Sequence, residues 1–431
     1  VSGFDVIIVG GGWGGLATGA LLSKRGARVL LAEARGSLGG RASYEEREGF
    51  QVDYGIHAHR FGKKGAAAAV YGALGEKLDL VKPDHGVVHY RGKSFPVPLK
   101  PRQFVTSRIL PRHMEVAVGR ALKGLLRASS EDTYEVPVAD LLPPGTDKEV
   151  RDFISVITGL GLISQDLTAT SAGELRWFVN KARRSMYHLM AFPRNGCRQH
   201  VQRLGRIIRE SGEVRTGVKV KRVLVESGAA VGVETAEDTI TAGAVVLAVP
   251  SPRAVGFVPE GVIQASTDVR MRNILPSAGL SWDVGLKRPV GDEHVAFSLD
   301  PLIIGAFPSN FDHLLCPPGL QFSTWCMPLP LGVFGDPDAV RRESAELRRK
   351  VFHMFPALEE NILWERMLKL PVIDGAVPLT TQPWPRRPGP RVPGVDGLFL
   401  AGDTVGVPGE GGDIAFQSAL ECAPLVLEHL G

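Results

Sequence analysis

An apolar run, Phe4–Val9 (FDVIIV), passes directly into a cluster of glycines and then into an apolar stretch that closes on Gly26. A second apolar run, residues 28–33 (RVLLAE), follows at once. Strand, glycine turn, helix and strand in this order predict a βαβ unit, whose right-handed crossover makes the two strands parallel neighbours. The intervening LATGALLSKRG reads as an amphipathic helix. The turn is Gly10-x-Gly12-x-x-Gly15, with Trp13 and Gly14 inside it. The first glycine of such a turn permits a sharp reversal. The second lets backbone approach a pyrophosphate, and the third lets the helix pack closely on the strand. The helix start then offers free N–H groups to the anion. Glu33 lies 18 residues beyond Gly15, at the end of the second strand, where a carboxylate accepts ribose hydroxyls. The pattern predicts a site for an adenine dinucleotide. Trp13 is bulky for this loop, and two roles stay open: packing at the helix start, or contact with a ligand's ring edge.

A chain of 431 residues is long enough for two domains with separate cores. Its 44% apolar and 22% charged residues match an ordinary globular chain and argue against disorder over most of the length. The net charge of +4 is too small to imply nucleic-acid binding. The four cysteines, Cys197, Cys316, Cys326 and Cys422, form no C-x-x-C pair, so neither a redox disulfide nor a zinc knuckle is signalled, and no metal is expected. They read as small buried apolar groups in a reducing compartment. No run approaches the roughly 20 apolar residues of a spanning helix, and no basic leader precedes the first strand. The expected location is the cytoplasm. Residues 100–127 alternate Leu, Ile, Val and Met with Arg and Lys and hold one acidic residue, Glu115. Such a segment either lies on an anionic membrane surface or forms a solvated basic face.

Beyond residue 85 the pattern loosens. Residues 86–130 show short strands and then the basic helical stretch, and residues 147–190 read as helices. Residues 213–249 form a strand-rich meander ending in a buried strand, 244–249. Residues 278–332 are again strand-rich, 336–354 read as a charged surface helix, and 397–403 as an apolar strand closed by Gly402-Asp403. A final helix covers 413–430. The dinucleotide-binding pieces are thus scattered. The expected division is one discontinuous domain from 1–85, 192–260 and 380–431, and a second from 86–191 and 261–379.

Three further segments extend the expected ligand. Gly39-Gly40-Arg41 can lay a rigid guanidinium fork on a diphosphate. FQVDYGIHAHRFG holds Asp53-x-Gly55-x-His57. In LFLAGDTVGVPGEGGDIAFQSA, Asp403 is placed for a ribityl hydroxyl or a phosphate-bound water. Gly409, Gly411 and Gly412 bring the last helix's N-terminus toward a flavin ring, where a positive dipole end stabilises the anionic reduced form. A nicotinamide dehydrogenase would explain the first turn alone and leave these later pieces without purpose.

The GGGWGGL…E…LGGRA start, the FPRNGCRQHVQRL segment, the VKVKRV…VVLAVP segment and the FLAGD…GGDIAFQSA end occur in an order that resembles the flavoprotein superfamily of monoamine oxidases, protoporphyrinogen oxidases and phytoene desaturases. The likeness covers about half of the chain. It implies an α/β fold: a discontinuous Rossmann-type FAD-binding domain with a second, α+β substrate domain of mixed sheet and helices. It implies that Gly10, Gly12, Trp13, Gly14 and Gly15 form the phosphate turn. Glu33 would bind the ribose, Ala34 and Arg35 would lie near the adenine, and Gly40 and Arg41 would meet the pyrophosphate. Val220 would bond the adenine through its backbone, and Ala248 would lie beside the ADP. Gly402 and Asp403 would touch the ribityl-phosphate region. Gly55, Ile56 and His57 would face the flavin ring, with Gly412, Asp413 and Ile414 at its pyrimidine edge.

In such enzymes flavin N5 takes hydride from a C–H bond while the protein orients the substrate. His57, His59 and Lys287 are the candidate catalytic residues, each with a structural or surface role as the alternative. Lys287 lies in SWDVGLKRPV, on a substrate-domain strand where amine oxidases place a lysine that holds a water by N5. Amine oxidases also precede the last Gly-Asp/Glu strand with a Trp and a Tyr that cage the amine. Here Trp384 is present, but no tyrosine lies between it and Asp403. No cysteine stands at the usual place of flavin attachment, so the expected cofactor is non-covalent FAD. The C-terminal pattern resembles phytoene desaturases. The expectation is an FAD-dependent desaturase or dehydrogenase of an apolar, isoprenoid or alicyclic, substrate, with oxygen or a quinone as electron acceptor. An amine oxidase releasing hydrogen peroxide and a redox-neutral isomerase remain the alternatives.

Overall fold

Two seven-stranded sheets carry the fold. The structure, a computed structural model, describes residues 3–99, 103, 107–127, 133–185 and 190–431. Residues 100–102 and 104–106 of the basic segment, and 186–189 of the expected helical stretch, lie outside the described residues.

In the first sheet β1 (Phe4–Val9) lies between β2 (Val29–Glu33) and Thr239–Leu247, parallel to both. Glu213–Thr216 extends the sheet beyond β2, and Leu398–Leu400 pairs with Thr239–Leu247, also in parallel. Val6, Ile7 and Ile8 are fully buried, as the unbroken apolar runs require when helices and loops cover both sheet faces. Helix α1 (Trp13–Lys24) is not amphipathic as expected: ten of its twelve residues are buried. It packs in one core with the sheet, the helix Arg198–Ser211 and the final helix Gly412–Leu430. Gly19 permits this closeness, because a Cβ there would lie 2.8 Å from Ile208 Cδ1.

The strand-like run 213–226 is two strands. It breaks at Gly217, whose φ of +76° is accessible mainly to glycine. Glu213–Thr216 joins β2, while Val220–Glu226 starts an antiparallel unit with Ala229–Thr235 and Thr239–Leu247 at the opposite edge.

The second sheet runs in the order Ile362–Leu370, Ala278–Leu286, Gln321–Leu329, Leu302–Ala306, Val295–Leu299, Gly86–Tyr90, Lys93–Pro96. Every pairing is antiparallel except that of Gly86–Tyr90 with Val295–Leu299. One face buries Trp282, Trp325 and Phe307 against Val340, Leu347 and Val351 of the helix Pro337–Met354. The other face carries Ser281 and Asp283 near one edge and Cys326, Ile304 and Phe297 farther across. Helices Arg112–Arg127, Lys148–Leu162 and Ala172–Arg184 form a separate cluster. The apolar stripe of Arg112–Arg127 (Met114, Val118, Ala121, Leu125) faces that cluster, so its basic side chains point outward. No helix among the described residues is long and apolar enough to cross a membrane.

One buried ion pair joins the second sheet to the rest. Arg366 donates from Nε and Nη2 to Asp283 Oδ2 (3.1 and 2.7 Å) and from Nη2 to the Asp53 carbonyl (2.6 Å). Its Nη1 lies 2.9 Å from a Glu45 oxygen. Burial pushes the Asp283 pKa up, and Arg366 and the Thr324 hydroxyl (2.6 Å) work against it. Asp283→Ala would leave the guanidinium without its buried partner, and we expect a loss of about 3–5 kcal/mol. Urea unfolding of the two chains measures this, and a loss near zero would contradict it.

Candidate cofactor and active site

The turn after β1 is shaped by close approaches that only glycine allows. Gly10 has φ +112°, and a Cβ on it would lie 2.6 Å from the Ala248 carbonyl oxygen. A Cβ on Gly15 would lie 2.0 Å from the Gly10 oxygen, and one on Gly14 would lie 2.9 Å from Gly402 Cα. Gly12, the N-cap of α1, differs: a Cβ there would meet nothing within 4 Å. The protein itself therefore leaves open space where the turn can admit a ligand's phosphates.

Around this cradle the segments expected from the sequence converge. Buried Glu33 accepts the Gly11 N–H at Oε2 (2.7 Å) and the Arg35 N–H at Oε1 (2.8 Å). The carbonyls of Glu33 and Arg35 accept the N–H groups of Val218 and Gly217, which lays the segment leading to Val220 along the end of β2, with Ala34 between the two anchored residues. Gly39 donates its N–H to Gly11 (2.8 Å), and Gly40, at φ +63°, lies against Gly12. Arg41 donates to Asp403 Oδ1 (2.6 Å) and to the Ile373 carbonyl (2.9 Å), while Asp403 Oδ2 accepts the Gly375 N–H (2.6 Å). Burial works to raise the Asp403 pKa, but Arg41 and the Gly375 N–H outweigh it and hold the carboxyl below its ordinary range.

The loop after Asp53 lies at the same end of α1, against Trp13. Gly55, at φ +95°, rests against Ser281. His57 Nδ1 lies 3.0 Å from the Gly55 carbonyl. A carbonyl only accepts, so Nδ1 carries the proton and Nε2 the lone pair. Burial lowers the His57 pKa to about 4 and that of His59 to about 3, so both rings are neutral near pH 7. Trp13 stacks on His59 (5.3 Å, 25°) and meets His57, His200 and Phe416 at 5.0–5.3 Å. His59 Nε2 shares a proton with His200 Nε2 (2.7 Å), and His200 Nδ1 lies 3.0 Å from the Tyr71 hydroxyl. Trp13 thus packs at the helix start, the first of its two expected roles. Its indole Nε1 is buried without a hydrogen-bond partner. Beside the loop a small cleft is lined by Ile56, His57, Phe192, Phe311 and Phe322 among others.

The glycines before the final helix complete the site. A Cβ on Gly412 would lie 2.7 Å from Trp13 Cζ3, so glycine lets this helix meet the indole; Ile414 packs beside Gly409. Asp413 Oδ2 accepts the Ala66 N–H (3.3 Å), while its Oδ1 has no partner. Glu410 is buried with Oε2 3.6 Å from Arg60 Nε and no hydrogen bond at that oxygen. Asp374, Asp403, Glu410 and Asp413 thus face three cations, Arg41, Arg60 and, at Asp413, Lys181. Too few positive charges are present to hold all four ionised. Burial pushes Glu410 up to about 8 and Asp413 up to about 6.

Of the residues expected to be catalytic, His57 and His59 come together beside Trp13 and Lys287 does not join them. Lys287 is exposed, just past the end of Ala278–Leu286. It lies six residues, about 20 Å of extended strand, from the Ser281 that meets Gly55. Trp384 packs edge-on against Tyr134 (5.5 Å), and its backbone N–H donates to Glu174. His200, Tyr71, Arg60, Asp374 and Glu410 were not expected. Arg60, His200 and Glu410 each lie inside a segment already singled out, whereas Tyr71 and Asp374 carried no local signal.

A group whose folded pKa is raised binds its proton more tightly in the folded chain, so its contribution to stability falls as pH rises. For Glu410 that fall spans the ordinary glutamate range up to about 8. Arg60, Asp374, Glu174 and Asp413 all face it and stay in place in a Glu410→Gln chain. Urea midpoints should then match the parent at pH 5 and exceed it at pH 8; equal midpoints at both would contradict a protonated Glu410.

Residues 13–275 match the model of the flavin-containing amine oxidoreductase family. The carotenoid 3,4-desaturase of Haloarcula japonica is 51% identical over 55 residues, 13% of this chain and 11% of that protein. A limonene dehydrogenase polypeptide of Castellaniella defragrans is 27% identical over 269 residues, 54% of this chain and 48% of that protein. The match therefore spans less than half the length of either relative. An oxidoreductase structure from Methanosarcina mazei superposes with a TM-score of 0.81 at 18% identity, over 96% of this chain and 99% of that one. Cyclohexylamine oxidase from Brevibacterium oxydans superposes at 0.69 and 14% identity over the whole of both chains. At such identities the two structures support the fold alone. With more than half of its length matched by the family model, the chain belongs to the flavin-containing amine oxidoreductases.

Proposed function

We propose that the chain binds FAD non-covalently and removes hydride from a C–H bond of an apolar, isoprenoid or alicyclic, substrate, as a desaturase or dehydrogenase. The donor set fits the cofactor. Gly12 and the start of α1 receive the pyrophosphate in open space, with Gly40 and Arg41 closing over it. Glu33 serves the adenosine ribose, and Val220 and Ala248 border the ADP half. Asp403 and Gly402 serve the ribityl chain. Gly55, Ile56 and His57 face the ring from one side and Gly412, Asp413 and Ile414 from another. The flavin supplies the hydride acceptor. The chain supplies orientation, exclusion of water and, at His57 Nε2, a neutral lone pair for the departing proton. The first sheet with its flanking segments, 1–85, 192–260 and 380–431, serves as the FAD domain, and 86–191 with 261–379 as the substrate domain.

The observation that carries the substrate class is the surface next to His57. Ile56 packs into an apolar layer with Phe192, Phe297, Leu302, Ile304 and Phe311. Such a layer favours hydrocarbon over a charged amine, whose desolvation it would not compensate. Trp384, the one candidate for an amine cage, is engaged with Tyr134 and Glu174. Amine oxidation is the second reading, favoured by the unpartnered buried oxygens of Glu410 and Asp413, which suit an ammonium group. The outward basic face of Arg112–Arg127 is the candidate surface for contact with an anionic membrane, and oxygen or a quinone is the electron acceptor of this reading.

Anaerobic mixing of the flavin-loaded chain with two panels separates the readings. Isoprenoid and alicyclic hydrocarbons should bleach the flavin absorbance, and primary amines and polyamines should not. Bleaching by amines alone, with peroxide released on admitting air, would overturn the proposal in favour of the second reading.

A further inference from the structure

Gly86–Tyr90 and Val295–Leu299 pair in parallel with Gly86 opposite Val295. The residues just before the two strands, His85 and His294, are therefore brought side by side, with ring centroids 4.3 Å apart. Asp84 completes the group. Its Oδ1 lies 2.5 Å from His85 Nδ1 and 3.1 Å from His294 Nδ1, and all three atoms lie within 4.8 Å of one another.

The proton positions in this group conflict unless His85 is doubly protonated or a cation sits between its members. His85 Nε2 lies 2.7 Å from the Asp292 carbonyl. A carbonyl only accepts, so Nε2 carries the proton, and in a neutral ring the Nδ1 lone pair points at the Asp84 carboxylate. His294 Nδ1 accepts the Asp84 backbone N–H (3.3 Å) with a lone pair and also faces the Asp84 carboxylate. One nitrogen cannot offer a proton to the carboxylate and a lone pair to the amide.

We propose that Asp84, His85 and His294 bind a divalent transition-metal ion of the zinc class, with water in the fourth position. Lone pairs from two imidazoles and a carboxylate oxygen then converge on a cation. Tetrahedral coordination with bonds of about 2.0–2.1 Å sets ligand atoms about 3.3 Å apart, close to the 3.1 Å between Asp84 Oδ1 and His294 Nδ1. The His85 ring has to withdraw by about 0.8 Å. The Asp292 carbonyl on its far nitrogen is the outer partner that fixes a metal-binding tautomer. Two imidazoles with one carboxylate suit Zn2+ rather than the all-oxygen preference of Mg2+ or Ca2+. Asp84 and His85 are exposed and His294 is half-buried, so an ion has a direct path in and water can complete its shell.

The place of the site gives it a purpose. It ties the segment that leaves Leu80–Val81 to the loop before Val295–Leu299. The His294 ring packs on Phe311 (5.2 Å), and Phe311 on Phe192 (5.0 Å); both phenylalanines line the cleft beside His57. A bound ion would fasten the outer support of that wall. The inference does not depend on the cofactor or substrate reading.

The test is calorimetric titration of the tag-free, chelator-stripped full chain with Zn2+, with bound metal counted by elemental analysis. One ion per chain is expected, together with a melting temperature that rises with Zn2+ concentration by mass action. Asp84→Asn keeps the side-chain shape and guards against a folding defect. It and His294→Ala should each weaken binding by about tenfold or more, while His353→Ala, elsewhere on the surface, should leave it unchanged. Failure of the parent to hold one ion, or equal binding by all the variants, would overturn the site and leave an imidazolium–carboxylate pair.

Discussion

The molecule depends on how closely the start of α1 approaches the ends of three parallel strands. Gly15 sits where a methyl group would be 2.0 Å from the Gly10 carbonyl, and Gly14 where it would be 2.9 Å from Gly402. Those contacts bring together the ends of β1 and Leu398–Leu400 with the helix N-terminus, so the free N–H groups of α1 and Asp403 share one region. Once they are set, Glu33, Arg41 and the Gly55 loop can reach the same groove from three separate stretches of sequence. Gly12 stands apart in this set because no protein atom demands it.

A second constraint is electrostatic. Four acidic groups at the start of the final helix face only Arg41, Arg60 and Lys181, and burial raises the pKa of Glu410 and Asp413, whose Oε2 and Oδ1 have no hydrogen-bond partner. His57, neutral and with its lone pair on Nε2, lies beside Trp13.

What could be read from the sequence was what local spacing controls. The βαβ unit, the glycine turn with Glu33 and the Gly-Asp strand end all lie within short windows whose steric logic does not depend on the rest of the chain. α1 was misjudged as amphipathic because the helices that cover its outer side come from residues near 200 and 420. His200 and Tyr71 escaped notice because their hydrogen bonds, to His59 and to each other, span 141 and 129 residues. Lys287 was expected on a strand but lies just past the end of Ala278–Leu286, because the apolar run that marks the strand does not say where its pairing stops. The pairing of Asp84 and His85 with His294 follows from one parallel register in an otherwise antiparallel sheet, and no periodicity in the sequence encodes that choice.

The central claim is that the open space over Gly12 exists for the FAD pyrophosphate. The most direct test is equilibrium binding of FAD to the cofactor-free Gly12→Ala chain beside the parent, with unfolding measured on both. The account predicts stability within about 1 kcal/mol of the parent, the scale of an N-cap change, and FAD binding weakened by about tenfold or more as the methyl meets the phosphates. A Gly12→Ala chain that takes up FAD as tightly as the parent would contradict it.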